Sequence, residues 1–159
     1  MILRPIRPED EPLEHEMLTT VSEATIRSRF YQNLKNISHA MHVRSCHIDY
    51  DRDMAIVAEI RFGKAQKKRL IGIGSLAIDA NGGERGEFAV IVHDDFGGRG
   101  LASKILDVLV GIASERGLKE FYGFVEPMNA KIAALCEKMG MTRQRVSDDL
   151  VRVSLPLVG

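Results

Sequence analysis

The chain has no tryptophan, two cysteines, five prolines and no net charge. Each shortage removes a class of protein. Cys46 and Cys136 are too few for a disulfide framework and lack the spacing of a zinc site. With no export signal beside them, free thiols point to a reducing cytoplasm. Lysine plus arginine equals aspartate plus glutamate at 22 each, so no basic field argues for nucleic acid or a membrane surface. No apolar run approaches the ~20 residues of a membrane-spanning helix, and no segment repeats. What is there is ordinary in bulk: 159 residues, 45% hydrophobic and 28% charged. That suits one domain, 1–159, with a full core.

Periodicity then orders the elements. Ile2 to Arg7 alternates as a short strand, placed near an edge by Pro5 and Pro8. Helical patterns follow over 10–20 and 22–33, with Asp10 and Ser22 as N-caps and Val21, Ile26 and Phe30 as an apolar stripe. A third short helix starts at Ser38. MAIVAEIRF and RLIGIGSLAI read as a β-hairpin joined by the basic turn Gly63 to Lys68, and Gly86 to Val92 is a third strand after Asn81-Gly82-Gly83. Leu101, Ile105, Leu109 and Ile112 mark a helix stopped at Gly117; Lys119 to Val125 is a strand. A helix capped by Asn129 and stopped by Gly140 precedes two strands, Met141–Val146 and Leu150–Leu155. The order predicts an α+β domain on a mixed sheet.

The segment richest in chemistry is IVHDDFGGRGLASKIL, Ile91 to Leu106. A strand runs through an acidic turn into Gly97-Gly98-Arg99-Gly100-Leu101-Ala102 and opens a helix. The first N–H groups of a helix are unpaired and carry partial positive charge, which suits a phosphate. Glycines let a ligand reach the main chain without meeting a Cβ. An ordinary strand-to-helix turn is the plain alternative, since short glycine motifs are common.

That loop, in that order of elements, resembles the GNAT superfamily of acyl-CoA N-acetyltransferases. Their phosphate loop places Gln or Arg, two residues, Gly, one residue, then Gly or Ala. Here the frame falls on Gly97, Gly100 and Ala102, so Gly97 lacks the usual side chain. The stretch 129–141 resembles the second helix motif of the superfamily, with Asn129, Leu135, Lys138 and Gly140 matching, Cys136 in the tyrosine place and Met141 in place of an aromatic. A narrower likeness, carried by IRPEDEP, SRFYQN, IDYDRDMAIVAEI and GEFAVIVHDDFGGRGLA, is to the GNAT domain of bacterial protein-lysine acetyltransferases. In that group the domain is often joined to an acyl-CoA-synthetase-like or cyclic-nucleotide-binding region. Neither is present here, so the chain is expected to be a free-standing relative or one domain of a longer protein.

The resemblance implies a twisted, mostly antiparallel sheet of about seven strands, splayed between the fourth and fifth, with acetyl-CoA as cosubstrate and no metal. It implies that the amides of Gly98, Arg99, Gly100, Leu101, Ala102 and Ser103 hold the pyrophosphate, and that Val90, Ile91 and Val92 offer main-chain groups to the pantetheine arm. Asn129 is first an N-cap and also a cofactor contact.

Glu87 is the candidate general base. A lysine amine has a pKa of about 10.4, so a nearby carboxylate must take its proton before it can attack. By alternation Glu87 shares a face with Ala89 and Ile91; an edge charge or salt bridge is the plain alternative. Glu84, in a turn, is a poorer candidate. Cys136 is the candidate acid for the departing thiolate, its alternative being a packed core thiol. His39 and His42 lack a third ligand at metal spacing. Lys64 to Arg69 reads as a solvated hairpin tip. Asp94, Asp95, Asp148 and Asp149 read as turn acids, with an acidic acceptor surface as the alternative.

The expected function is acetyl transfer to a protein lysine by direct attack in a ternary complex. A small-amine N-acetyltransferase and a non-catalytic acyl-CoA-binding regulatory domain are the alternatives.

Overall fold

The computed structural model describes residues 1–20, 53–79, 84–93, 96, 100–125, 130–148 and 150–157. β1 (Ile2–Pro5) leads through a 3-10 turn (Pro8–Asp10) to α1 (Glu11–Thr20). Then come β2 (Asp53–Phe62), β3 (Lys67–Ile78), β4 (Arg85–Val92), α2 (Leu101–Glu115), β5 (Glu120–Val125), α3 (Ala130–Lys138), β6 (Thr142–Ser147) and β7 (Leu150–Pro156). The helices expected over 22–33 and from Ser38, with His39 and His42, lie outside the described residues, as does the Asn81–Gly83 turn.

The seven strands form one sheet in the order β1-β2-β3-β4-β5-β7-β6. Every neighbouring pair is antiparallel except β4 with β5. That parallel pair holds over three residues, Arg85, Gly86 and Glu87 against Glu120, Phe121 and Tyr122, and then the strands part. The α+β, mostly antiparallel, splayed sheet expected from the sequence is the fold observed.

Side-chain alternation divides the core into two layers. On one face Ile56, Leu76, Phe88 and Val90 meet α2 through Leu101, Ile105, Leu106 and Leu109, and Cys136 of α3 joins the same cluster. The helix lies close because Gly72 and Gly74 carry no side chain: a Cβ on Gly72 would stand 3.0 Å from Ile105, and one on Gly74 would overlap it. Each fully buried leucine or isoleucine here contributes about 1.5–3 kcal/mol. On the other face Ile6, Met17, Ala55, Val57, Leu70, Ile73 and Ile91 make a smaller cluster under α1.

Several boundaries differ from expectation for local reasons. β1 ends at Pro5, and Arg7, expected in the strand, is instead the N-cap of the 3-10 turn; its N–H donates to Asp10 Oδ2 at 2.7 Å. Lys67 and Lys68 belong to β3, opposite Phe62 and Arg61, so the hairpin turn is only Gly63–Gln66. β6 begins after Met141, whose N–H donates to the Cys136 carbonyl to close α3.

The first strand is tied down by charge. The Arg4 guanidinium donates to both carboxylate oxygens of Asp10 at 2.8 Å and to Glu59 Oε1 at 3.0 Å. Burial pushes both carboxyls upward, but the hydrogen bonds and charge of Arg4 outweigh it and leave each below its ordinary value.

Candidate active site

The site is built where β4 and β5 separate. Antiparallel pairing with β3 uses alternate residues of β4. Asp79 N–H donates to Arg85 O and His93 N–H to Ile71 O, both at 2.8 Å. That parity turns the main-chain groups of residues 85, 87, 89, 91 and 93 toward β3. Phe88, Val90 and Val92 therefore turn theirs toward β5, beyond the point where β5 pairs with them. Of the three residues expected to offer main-chain groups to the gap, Val90 and Val92 face it. Ile91 faces away, opposite Ile73.

α2 begins beside the far end of the same strand. Gly100 is its N-cap, with φ 77° and no side-chain cap. The first intrahelical bond runs from Lys104 N–H to Gly100 O at 3.1 Å. Leu101, Ala102 and Ser103 thus have N–H groups without helical acceptors, and no acidic residue stands in the first turn. No atom among the described residues lies within 4 Å of where a Cβ on Gly100 would project. An extended thioester arm fits the open strand gap, and a phosphate fits the uncapped helix end. Gly97, Gly98, Arg99 and Asn129 lie outside the described residues.

Glu87, half-buried, stands opposite Tyr122 in the last paired step before the gap. Parity puts Tyr122 on the face of Glu87, and around its ring lies a polar network that sequence reasoning missed. The Tyr122 hydroxyl donates to Asp79 Oδ1 at 2.7 Å, and Arg85 is 3.3 Å from Asp79 Oδ2. The Arg152 guanidinium lies 4.4 Å from the Tyr122 ring centre and donates to both oxygens of Glu120 at 3.1 Å. Ser154 donates to Glu120 as well, at 2.5 Å. Those bonds hold the Glu120 carboxyl below its ordinary range, Arg152 contributing most. Burial, then donation to Asp79, pushes the Tyr122 phenol upward, so it stays protonated and neutral at physiological pH. Tyr122 is a hydrogen-bond donor there, and Glu87 is the carboxylate paired opposite it across the fork. The signal in the sequence was alternation: Glu120 and Tyr122 on β5, and Arg152 and Ser154 on β7, are polar residues at every second place.

Cys136 is 0% exposed within the α2–α3 cluster, and burial pushes its thiol up to about 11. Glu84 is exposed and 3.2 Å from Lys119. Asp148 is exposed and 3.5 Å from Arg145; Asp94, Asp95 and Asp149 lie outside the described residues. Among the described residues no three His, Cys, Asp or Glu side chains could together hold a metal ion, and no helix is long and apolar enough to cross a membrane.

A splayed β4–β5 pair joined to an uncapped glycine helix start defines an acyltransferase framework, and comparison with known proteins agrees. Residues 1–142 match the model of the acetyltransferase (GNAT) domain family. The chain belongs to that family and is an acetyltransferase. It is 31% identical over 153 residues to the acetyltransferase PA5475 of Pseudomonas aeruginosa, covering 96% of this chain and 81% of that one. The crystal structure of the GNAT domain of S. lividans PAT superposes with a TM-score of 0.83 at 26% identity, over 98% of this chain and 89% of that one. Spermidine N-acetyltransferase from Vibrio cholerae, in complex with CoA and spermine, shares the fold at a TM-score of 0.72 and 18% identity, over 98% and 94% of the two chains.

Proposed function

We propose that this acetyltransferase moves the acetyl group of acetyl-CoA to the side-chain amine of a protein lysine, with Glu87 as general base. The observation that carries the reading is the fork at Glu87–Tyr122. It puts a carboxylate beside the mouth of a strand gap whose wall is bare main chain.

The amides of Leu101, Ala102 and Ser103, with the neighbouring Gly97 to Gly100, hold the pyrophosphate of the donor, and Val90 and Val92 bond its pantetheine arm. Asn129, from the motif that opens α3, is assigned as a further contact of the donor. Acetyl-CoA supplies an activated thioester carbonyl. A main-chain N–H of β4 polarises that carbonyl as charge builds on its oxygen. Glu87 takes one proton from the acceptor ammonium, directly or through a water, and so exposes the lone pair that attacks. The nitrogen's second proton goes to the departing thiolate, and the acid taken by Glu87 returns to solvent. Cys136, enclosed by apolar neighbours, packs the core, and the thiolate of CoA leaves without it.

The lysine acceptor is supported by the motif likeness to bacterial protein-lysine acetyltransferases and by the fit to the PAT domain. It is supported too by charge. Around Tyr122, among the described residues, Asp79 is matched by Arg85 and Glu120 by Arg152, which favours an acceptor with a single ammonium over a polycation. A small-amine acceptor is the second reading, since a fold neighbour binds spermine. Thiol release from acetyl-CoA, followed with lysine-containing proteins and with polyamines and amino acids, tests the choice. Release with proteins supports this reading; release with small amines alone removes it.

A further inference from the structure

We propose that Arg69 is a positioning residue for acyl-donor binding: from β3 it holds His93 and Phe96, which lead out of β4 toward the N-terminus of α2. The inference rests on the acetyl-CoA reading above and adds a residue that the motifs do not contain.

The antiparallel register brings the beginning of β3 beside the end of β4, with Gly72 opposite Val92. His93 continues the ladder by donating its N–H to Ile71 O, and its own carbonyl accepts from Phe96 N–H at 2.9 Å. His93 is only 4% exposed, and its ring meets Phe96 edge-on at 6.2 Å. Arg69 touches both side chains: Nη2 is 3.0 Å from His93 Nε2, and its guanidinium carbon is 5.8 Å from the Phe96 ring centre. One cation thus grips the two described residues between β4 and Gly100.

The chemistry of the contact is directional. A guanidinium has no acceptor, so Arg69 donates and His93 Nε2 must be the lone-pair nitrogen, leaving the imidazole proton on Nδ1. The bond occupies one of five guanidinium donors, and the positive charge stays at the end of the sheet where α2 offers its amides. Lys67 and Lys68 precede it, exposed, on the same strand. Within a stretch read as a solvated hairpin tip, Arg69 is therefore half-buried and turned to a task.

The test compares Arg69→Met, His93→Leu and His93→Gln with the wild type by calorimetry with CoA and by steady-state kinetics. Glutamine keeps an acceptor near the place of Nε2; leucine does not. Arg69→Met and His93→Leu are expected to weaken CoA binding and raise the acetyl-CoA KM by ~10-fold, the loss of one charge-assisted hydrogen bond. The kcat at saturating donor and the KM for acceptor should stay within about twofold, and His93→Gln should bind like the wild type. Wild-type affinity in Arg69→Met, or equal losses in His93→Gln and His93→Leu, overturns the proposal. The imidazole nitrogen spectrum of the unaltered protein gives a readout free of any folding defect: a proton on Nδ1 is expected, and a proton on Nε2 overturns the clamp. Absence of CoA binding in the wild type itself overturns the donor reading, whereas loss confined to the variants separates the two.

Discussion

Glu87 of β4 and Tyr122 of β5 face each other in the last paired step before the two strands part. A carboxylate therefore stands at the opening of the two strands, where the proposed base and the proposed thioester gap would share one place. The phenol beside them, bound to Asp79, fixes the polar side of that place.

Glu87→Gln keeps the size of the side chain and removes the base. Turnover should fall ~100-fold or more, the usual worth of a positioned general base, with CoA affinity unchanged. Steady-state thiol release and calorimetry read the two separately. Wild-type turnover in this variant removes Glu87 from the mechanism.

Gly100 tests the helix end. Valine there meets two penalties, the left-handed φ of 77° and a branched carbon in the space a phosphate needs. Asparagine tolerates that φ and pays only the second. CoA binding should be lost in Gly100→Val and weakened in Gly100→Asn, while Gly100→Asn melts within a few degrees of the wild type. Tight CoA binding in both contradicts the assigned phosphate place.

Cys136→Ala separates packing from acid catalysis. Removing one buried sulfur should cost about 1 kcal/mol of stability, measured by denaturant titration. The kcat should stay within about twofold, because the thiol is enclosed and, at a pKa of about 11, holds its proton tightly. A ~100-fold loss of kcat with intact CoA binding would make the thiol the acid after all.

Gly123 carries no side chain because the Phe88 ring occupies its place: a Cβ would stand 2.6 Å from Phe88 Cε1. Phe88 also stacks on Phe121 with ring centres 4.7 Å apart, just past the fork. Gly123→Ala should destabilise by about 1–3 kcal/mol through overpacking. It should also disturb CoA binding, since Phe88 lines the parting strands. A variant as stable as the wild type contradicts the packing described.

Asp10 and Glu59 give the pH dependence its sign. Both carboxyls are held below their ordinary values, so their stabilising contribution is complete at neutral pH and is lost as pH falls below about 4. Arg4→Met leaves two carboxylates buried without their partner and should cost on the order of 3 kcal/mol at pH 7. The gap between variant and wild type should narrow in acid, because burial raises the carboxyls left without Arg4 and they protonate at a higher pH than those of the wild type, as urea titrations at pH 7 and pH 4 will show. A gap that is constant with pH contradicts the ion cluster.

Much of the fold was legible because periodicity and punctuation agree along the chain. Gly117 and Gly140 do end their helices with positive φ, and β2, β3, β4 and the start of α2 stand where alternation and glycines put them, with a shorter hairpin turn than expected. Boundaries slipped where a local cap turned the chain, as Asp10 does by accepting from the Arg7 N–H on the outer edge of β1. The site was half legible. Glu87 stood out as a charge in an apolar strand, but its neighbour Tyr122 depends on a parallel pairing between strands that are distant in sequence. Arg69 and His93 were hidden for the same reason: a lysine-rich tip says nothing of which cation turns inward.

Amide spectra of the nitrogen-labelled protein, recorded while CoA is added, test the central assignment most directly. The signals of Val90, Val92, Leu101, Ala102 and Ser103 are predicted to shift together and saturably. Unmoved signals at those five residues with millimolar CoA, or shifts confined to another part of the sheet, would contradict it.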